Sequence, residues 1–189
     1  MNASAHLLVL LSMVIGLGLA DLLLNVRGLI FRDRGVSVHL HPVPLLWALF
    51  AILNLLQIWW GIYGAFSESY ATSLAGYLST FVFVIPVYLL ASAALPSART
   101  QTLNLREHYE SNSARIFGWI AGLWLLAFLY HILLRGQALS LFPQIIRLVG
   151  IGTGAVGFLR KGPRLHVLIM CIQVGLLVAF FALVTPRIE

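Results

Sequence analysis

Charge is what this chain has least of. Charged residues fill 10% of its 189 positions, against 60% hydrophobic ones, where a soluble globular domain holds about 25% charged and roughly 45–50% apolar residues. A water-soluble fold of this size cannot cover so much apolar surface, which sets aside a soluble enzyme and a disordered tail. Cysteine occurs once, at Cys171 inside an apolar run, so no intrachain disulfide can form and a secreted disulfide scaffold is set aside as well. Acidic residues number six against twelve Lys and Arg. No basic residue precedes the first apolar stretch, so that stretch does not read as a cleavable signal peptide. There is no polar segment long enough for a soluble domain, no low-complexity tract and no internal repeat.

What is present in excess is apolar sequence, and it comes in pieces of one size. A membrane-crossing helix needs about 20 mostly apolar residues, with roughly 17–25 tolerated. Six stretches qualify: 5–26, 43–66, 73–95, 116–134, 141–159 and 165–184. The second is entered through His41-Pro42-Val43-Pro44, where proline suits a helix start. The third stops at Pro96 and the sixth at Pro186. Between the third and fourth, 97–115 is polar, with Leu103, Leu105, Tyr109 and Ile116 able to line one side and Arg106, Glu107, Glu110 and Arg115 the other; it is expected as a partly helical interfacial segment leading into the fourth helix. The expectation is an all-α polytopic transmembrane helix bundle of about six spans in one integral membrane domain, 1–189.

Arginine sets the direction. The loops after the first, third and fifth stretches hold Arg27, Arg32 and Arg34; Arg99, Arg106 and Arg115; and Arg160, Lys161 and Arg164. Cytoplasmic loops keep an excess of Lys and Arg, so these loops are expected inside and both termini outside. A basic balance can also mean nucleic acid, but no polar domain carries a basic stripe interleaved with aromatics, and no nucleic-acid partner is expected. The lipid bilayer accounts for the charge.

Polar residues inside the spans are few, and an intramembrane ionisable group is by default a functional candidate, because insertion costs about 2.5–3.5 kcal/mol. Asp21 and Asn25 lie one turn apart on the first stretch, Asn54 and Gln57 three residues apart on the second. One reading is a hydrated transport path along Asp21, Asn25, Asn54 and Gln57; the other is interhelical hydrogen bonding within a dry seam. Arg147 lies in the outer half of the fifth stretch and His131 at the outer end of the fourth. Glu68 is the natural counter-ion for Arg147 in an outer electrostatic pair, and the alternative is an arginine that snorkels to headgroups.

Other patterns carry less. His39 and His41 with Asp33 nearby hint at a metal but do not make a ligand set, so no metal site and no cofactor is expected. Nor does any nucleophile-base pair stand out as catalytic. Gly152-Thr-Gly154-Ala-Val-Gly157 has the spacing of a dinucleotide loop without the strand that such a loop follows. Gly118 with Gly122, and Gly150 with Gly154, are instead G-x-x-x-G pairs, packing faces within the chain or between the copies of a homo-oligomer.

Two stretches carry a resemblance: Trp47-Ala-Leu-Phe leading to Gln57-Ile-Trp59-Trp60, and Leu105-Arg106-Glu107-His108-Tyr109-Glu110-Ser-Asn112 leading to Phe117-Gly118. Here the chain resembles a group of small uncharacterised bacterial multi-pass inner-membrane proteins. The resemblance implies a bacterial inner-membrane location and no activity. Two functions follow from the residues themselves. The first is a small oligomeric ion or proton channel or transporter using the polar faces of the first two helices. The alternative is a membrane sensor or scaffold whose basic loops, through Arg99, Arg106 and Arg115, recruit a lipid or a protein partner.

Overall fold

Apolar segments without water to bond must satisfy their own backbone groups, and a helix does so within the segment. A computed structural model of the chain describes residues 3–31, 38–65, 74–96, 103–133 and 141–183. Its helices are α1 (Ala3–Ile30), α2 (Pro42–Ala65), α3 (Leu74–Ala94), α4 (Leu105–Leu133), α5 (Leu141–Leu159) and α6 (Pro163–Leu183). All but α3 are long and apolar enough to cross a membrane. In α3 the shorter apolar helix Phe81–Ala94 contains Pro86. Proline opens α2 and α6, where its missing N–H removes no intrahelical bond. The chain is therefore all-α, apart from one pair of two-residue strands.

From Leu105 onward the polar stretch continues into the fourth apolar stretch as one helix of 29 residues. The reason is local. Asn104 Oδ1 accepts from the backbone N–H groups of Arg106 (3.1 Å) and Glu107 (3.4 Å), an N-cap in which Glu107 occupies the capping-box position. Leu105, Tyr109, Ser113 and Ile116 then face the bundle, while Arg106, Glu107, Glu110 and Arg115 are exposed.

The core forms around α2, which touches α1, α3, α4 and α6. Trp47, Phe50, Ala51 and Leu55 of this helix are fully buried, with Trp47 edge-on to both Phe50 and Phe117. Helices α1 and α2 run antiparallel, since Trp59 Nε1 donates to Ser12 Oγ (3.0 Å) while Gly18 faces Leu55. Helices α4 and α5 meet along glycine. A Cβ on Gly150 would stand 2.5 Å from the Trp124 ring, and one on Gly154 would stand 2.9 Å from the Ala121 backbone nitrogen, so both faces work only without side chains. The exterior carries Met13, Leu17, Leu24, Leu125, Leu148 and Val178, an apolar surface that suits hydrocarbon rather than water.

The strands β1 (Val38–His39) and β2 (Leu103–Asn104) pair in parallel, Val38 against Leu103 and His39 against Asn104. They hold the approach to α2 beside the start of α4. Helices α1, α2 and α3 enclose a half-open apolar groove of about 350 Å³, lined by residues that include Leu17, Gly18, Leu55, Val84 and Tyr88.

Candidate functional site

Two buried polar clusters lie in the half of the bundle built by α4, α5 and α6. Both start from one stripe of α6, where His166, Ile169, Met170, Gln173 and Leu177 are buried at three- and four-residue spacing.

Gln173 anchors the first cluster. Its Oε1 accepts from Trp124 Nε1 of α4 (2.7 Å), and its Nε2 donates to the Gly150 carbonyl (3.2 Å) and to Thr153 Oγ1 (2.9 Å) of α5. The Thr153 hydroxyl donates in turn to the Val149 carbonyl (2.8 Å). A buried carboxamide with every hydrogen bond met fixes its neighbours, and here it fixes three helices at one level. Beside this level on α5 lies Arg147, only 1% exposed. Its guanidinium carbon stands 5.8 Å from the centroid of the Phe180 ring of α6, a cation–π arrangement. Arg147 Nε has no hydrogen-bond partner among the described residues, and neither does Oε1 of Gln144, one turn earlier. The described residues contain one salt bridge, Arg106 to Glu110 (2.8 Å), at the opposite end of the bundle. So a buried cation stands without a carboxylate among the described residues.

The second cluster joins α3, α4 and α6 at that opposite end, with His41, just ahead of α2, against it. His166 Nε2 bonds to the Arg160 carbonyl (2.9 Å), an acceptor, so this nitrogen carries the proton. Nδ1 of the neutral ring is then an acceptor, and the Tyr109 hydroxyl donates to it (2.9 Å). The His41 ring lies near-parallel to that of Tyr109, and Phe117 packs against His166. Next to it, His108 Nε2 donates to the Ala93 carbonyl of α3 (3.1 Å), while Asn112 Nδ2 donates back to the His108 carbonyl (3.0 Å). These bonds tie the ends of α3, α4 and α6 together. The bonded groups have internal partners and hold the fold, while His41 Nδ1 and Trp47 Nε1, buried beside them, have no hydrogen-bond partner among the described residues.

The residues singled out in the sequence fall in different places. Asn54 is buried, but its Nδ2 donates to the Phe50 carbonyl of its own helix (2.8 Å). Gln57 and Asn25 are half-buried and Asp21 is exposed on the outer face of α1. None of these four lines the groove between α1, α2 and α3. Glu68 and Arg99 lie outside the described residues. Arg106 is exposed and bonded to Glu110, and Arg115 is exposed and donates to Asn112 Oδ1 (3.1 Å). Arg147 is buried rather than extended to the surface. Gly150 and Gly154 face α4 inside the chain, Gly118 meets Phe158, and Gly122 has open space around it.

Sequence reasoning passes over Gln173 and leaves Gln144 and His166 without a role. Gln173 could have been found, since it is a lone amide in a strongly apolar helix; the pairing of Tyr109 with His166 has no local signal at all. No family model, curated protein or solved structure matches the chain.

Proposed function

We propose that the chain is a six-span protein of the bacterial inner membrane, with both termini outside, that passes a small anion and selects it with Arg147. The observation behind this reading is the wholly buried guanidinium with no carboxylate beside it among the described residues. An ionised group deep in a bundle is costly unless an opposite charge approaches it. A transported anion supplies that charge only while it is bound, which is what a conducting site requires. Glu68, the counter-ion expected from the sequence, is the competing partner for Arg147, since a permanent pair would leave no charge for an anion to meet. Helix α3, whose described apolar part Phe81–Ala94 is shorter than a span, would supply the sixth crossing over its full 21 residues.

Flux through proteoliposomes tests this, measured for chloride, nitrate, bicarbonate and phosphate against empty liposomes. At least one anion should pass faster with the protein, Arg147→Gln should slow it roughly tenfold or more, and Arg147→Lys should retain part of the rate. Equal flux in Arg147→Gln removes Arg147 from the path, and no flux above empty liposomes ends the transport reading.

The polar faces of α1 and α2 enter as a route between copies. Asp21 faces outward, so a second chain against α1 would enclose it with Asn25, Asn54 and Gln57 nearby. An effect of Asp21→Asn on flux favours that oligomeric route; unchanged flux leaves conduction to the Arg147 side. The scaffold reading rests on the exposed charges of the first turns of α4, Arg106 and Arg115, with Arg99 preceding them. Neutralising all three should abolish any added thermal stability in phosphatidylglycerol over phosphatidylcholine nanodiscs, and no change would count against it.

A further inference from the structure

The reading of Arg147 as an anion site leaves the kind of anion open, and its neighbour on α5 narrows it. Gln144 and Arg147 are one turn apart on one face of the helix, and each carries a buried atom without a hydrogen-bond partner among the described residues: Oε1, which can only accept, and Nε, which can only donate. Gln173 bonds to neither of them: its carbonyl oxygen accepts from Trp124, and its amide, with both hydrogens used on Gly150 and Thr153, has none left for Gln144. The Arg147 guanidinium carbon lies over the Phe180 ring, and the N–H edge of Arg147 is the side that suits an oxyanion.

A halide, a nitrate or the phosphodiester of a lipid headgroup brings acceptors alone. With the Gln144 amide in the orientation it holds, each would meet Nε and leave the Gln144 oxygen buried without a donor, an unfavourable state for a polar atom inside a protein. We infer that the site takes a hydrogen-bearing oxyanion, of the bicarbonate or dihydrogen-phosphate class, which accepts from Arg147 through one oxygen and donates its own O–H to Gln144. This rests on the anion reading of Arg147. It adds that Gln144 is the residue that distinguishes a protonated oxyanion from an unprotonated one.

Bicarbonate and nitrate make the comparison directly, since both are flat, singly charged and close in size, and differ in the hydrogen. Thermal unfolding of the full chain in phosphatidylcholine nanodiscs at pH 8, with each sodium salt titrated in turn, reads their binding without any flux measurement. In the unaltered protein bicarbonate should bind roughly tenfold more tightly than nitrate. Gln144→Leu should bring that ratio toward one while nitrate binding stays as it was, and Arg147→Gln should remove stabilisation by both. Equal stabilisation by the two anions in the unaltered protein overturns the inference, as does a ratio that Gln144→Leu leaves unchanged. If neither anion stabilises a protein that still conducts anions, the inference fails and the transport reading stands. Bicarbonate stabilisation without flux supports the inference and sinks the transport reading.

Discussion

Gln173 shows how much one side chain can organise in a medium with no competing water. It is 0% exposed and bonds to Trp124, Gly150 and Thr153. Gln173→Leu removes these bonds at once and leaves the Trp124 N–H buried without an acceptor. A loss of about 1–3 kcal/mol is expected for such an unmet group, read as a lower unfolding midpoint in nanodiscs, with Gln173→Glu as the variant that keeps the acceptor. An unchanged midpoint would mean that the carboxamide is not the tie between α4, α5 and α6. At this scale the sequence is readable in part. Arg147 is conspicuous in it because a charge in an apolar run has few explanations. Gln173 is as isolated but carries no charge, and which way it faces depends on the packing of α6. Asn54 and Gln57 share a face by spacing alone, yet Asn54 turns its amide onto its own backbone, a choice that no periodicity reveals.

Helices were the most legible feature, because hydrocarbon allows a chain few alternatives. The stretch 141–159 is expected and α5 is Leu141–Leu159; 43–66 is expected and α2 is Pro42–Ala65. The first turns of α4 were legible as a partly helical interfacial segment leading into the fourth span, since Leu105, Tyr109 and Ile116 share a side; the helix-start signature of Asn104 and Glu107 was passed over because an apolar-run criterion skips turns charged on one side. The contact of α4 with α5 yields a prediction of its own. Gly154→Ala would place a methyl against the Ala121 backbone, which rigid backbone cannot accommodate by rotating aside, and overpacking of this kind costs about 1–3 kcal/mol. Gly122→Ala, with nothing within 4 Å, should leave the unfolding midpoint of the monomer unchanged. If Gly122 instead serves a contact between copies, its substitution will alter the oligomeric state measured by light scattering without weakening the chain. A midpoint equally low in both variants would argue against the packing seen between α4 and α5.

For the whole molecule, alternation of loops rich and poor in Lys and Arg predicts a direction that packing alone cannot supply, because a helix bundle fits a bilayer equally well either way up. Ser111 is exposed on the early turns of α4, on the side with Arg106 and Arg115. In a Cys171→Ser background, Ser111→Cys should react with a membrane-impermeant maleimide in inside-out vesicles and not in intact cells. Labelling in intact cells would invert the orientation. What stayed hidden in the sequence at this scale were contacts between remote segments: Tyr109 with His166, and Val38–His39 with Leu103–Asn104. The second of these has a consequence for timing. The chain is made from its N-terminus, and β2 cannot meet β1 until α2 and α3 have both been synthesised and folded back between them. The residue that caps α4, Asn104, is also the strand partner of His39. Helix α4 is thus started at a point already held by earlier chain, so the first half of the protein serves as the template on which the second half begins.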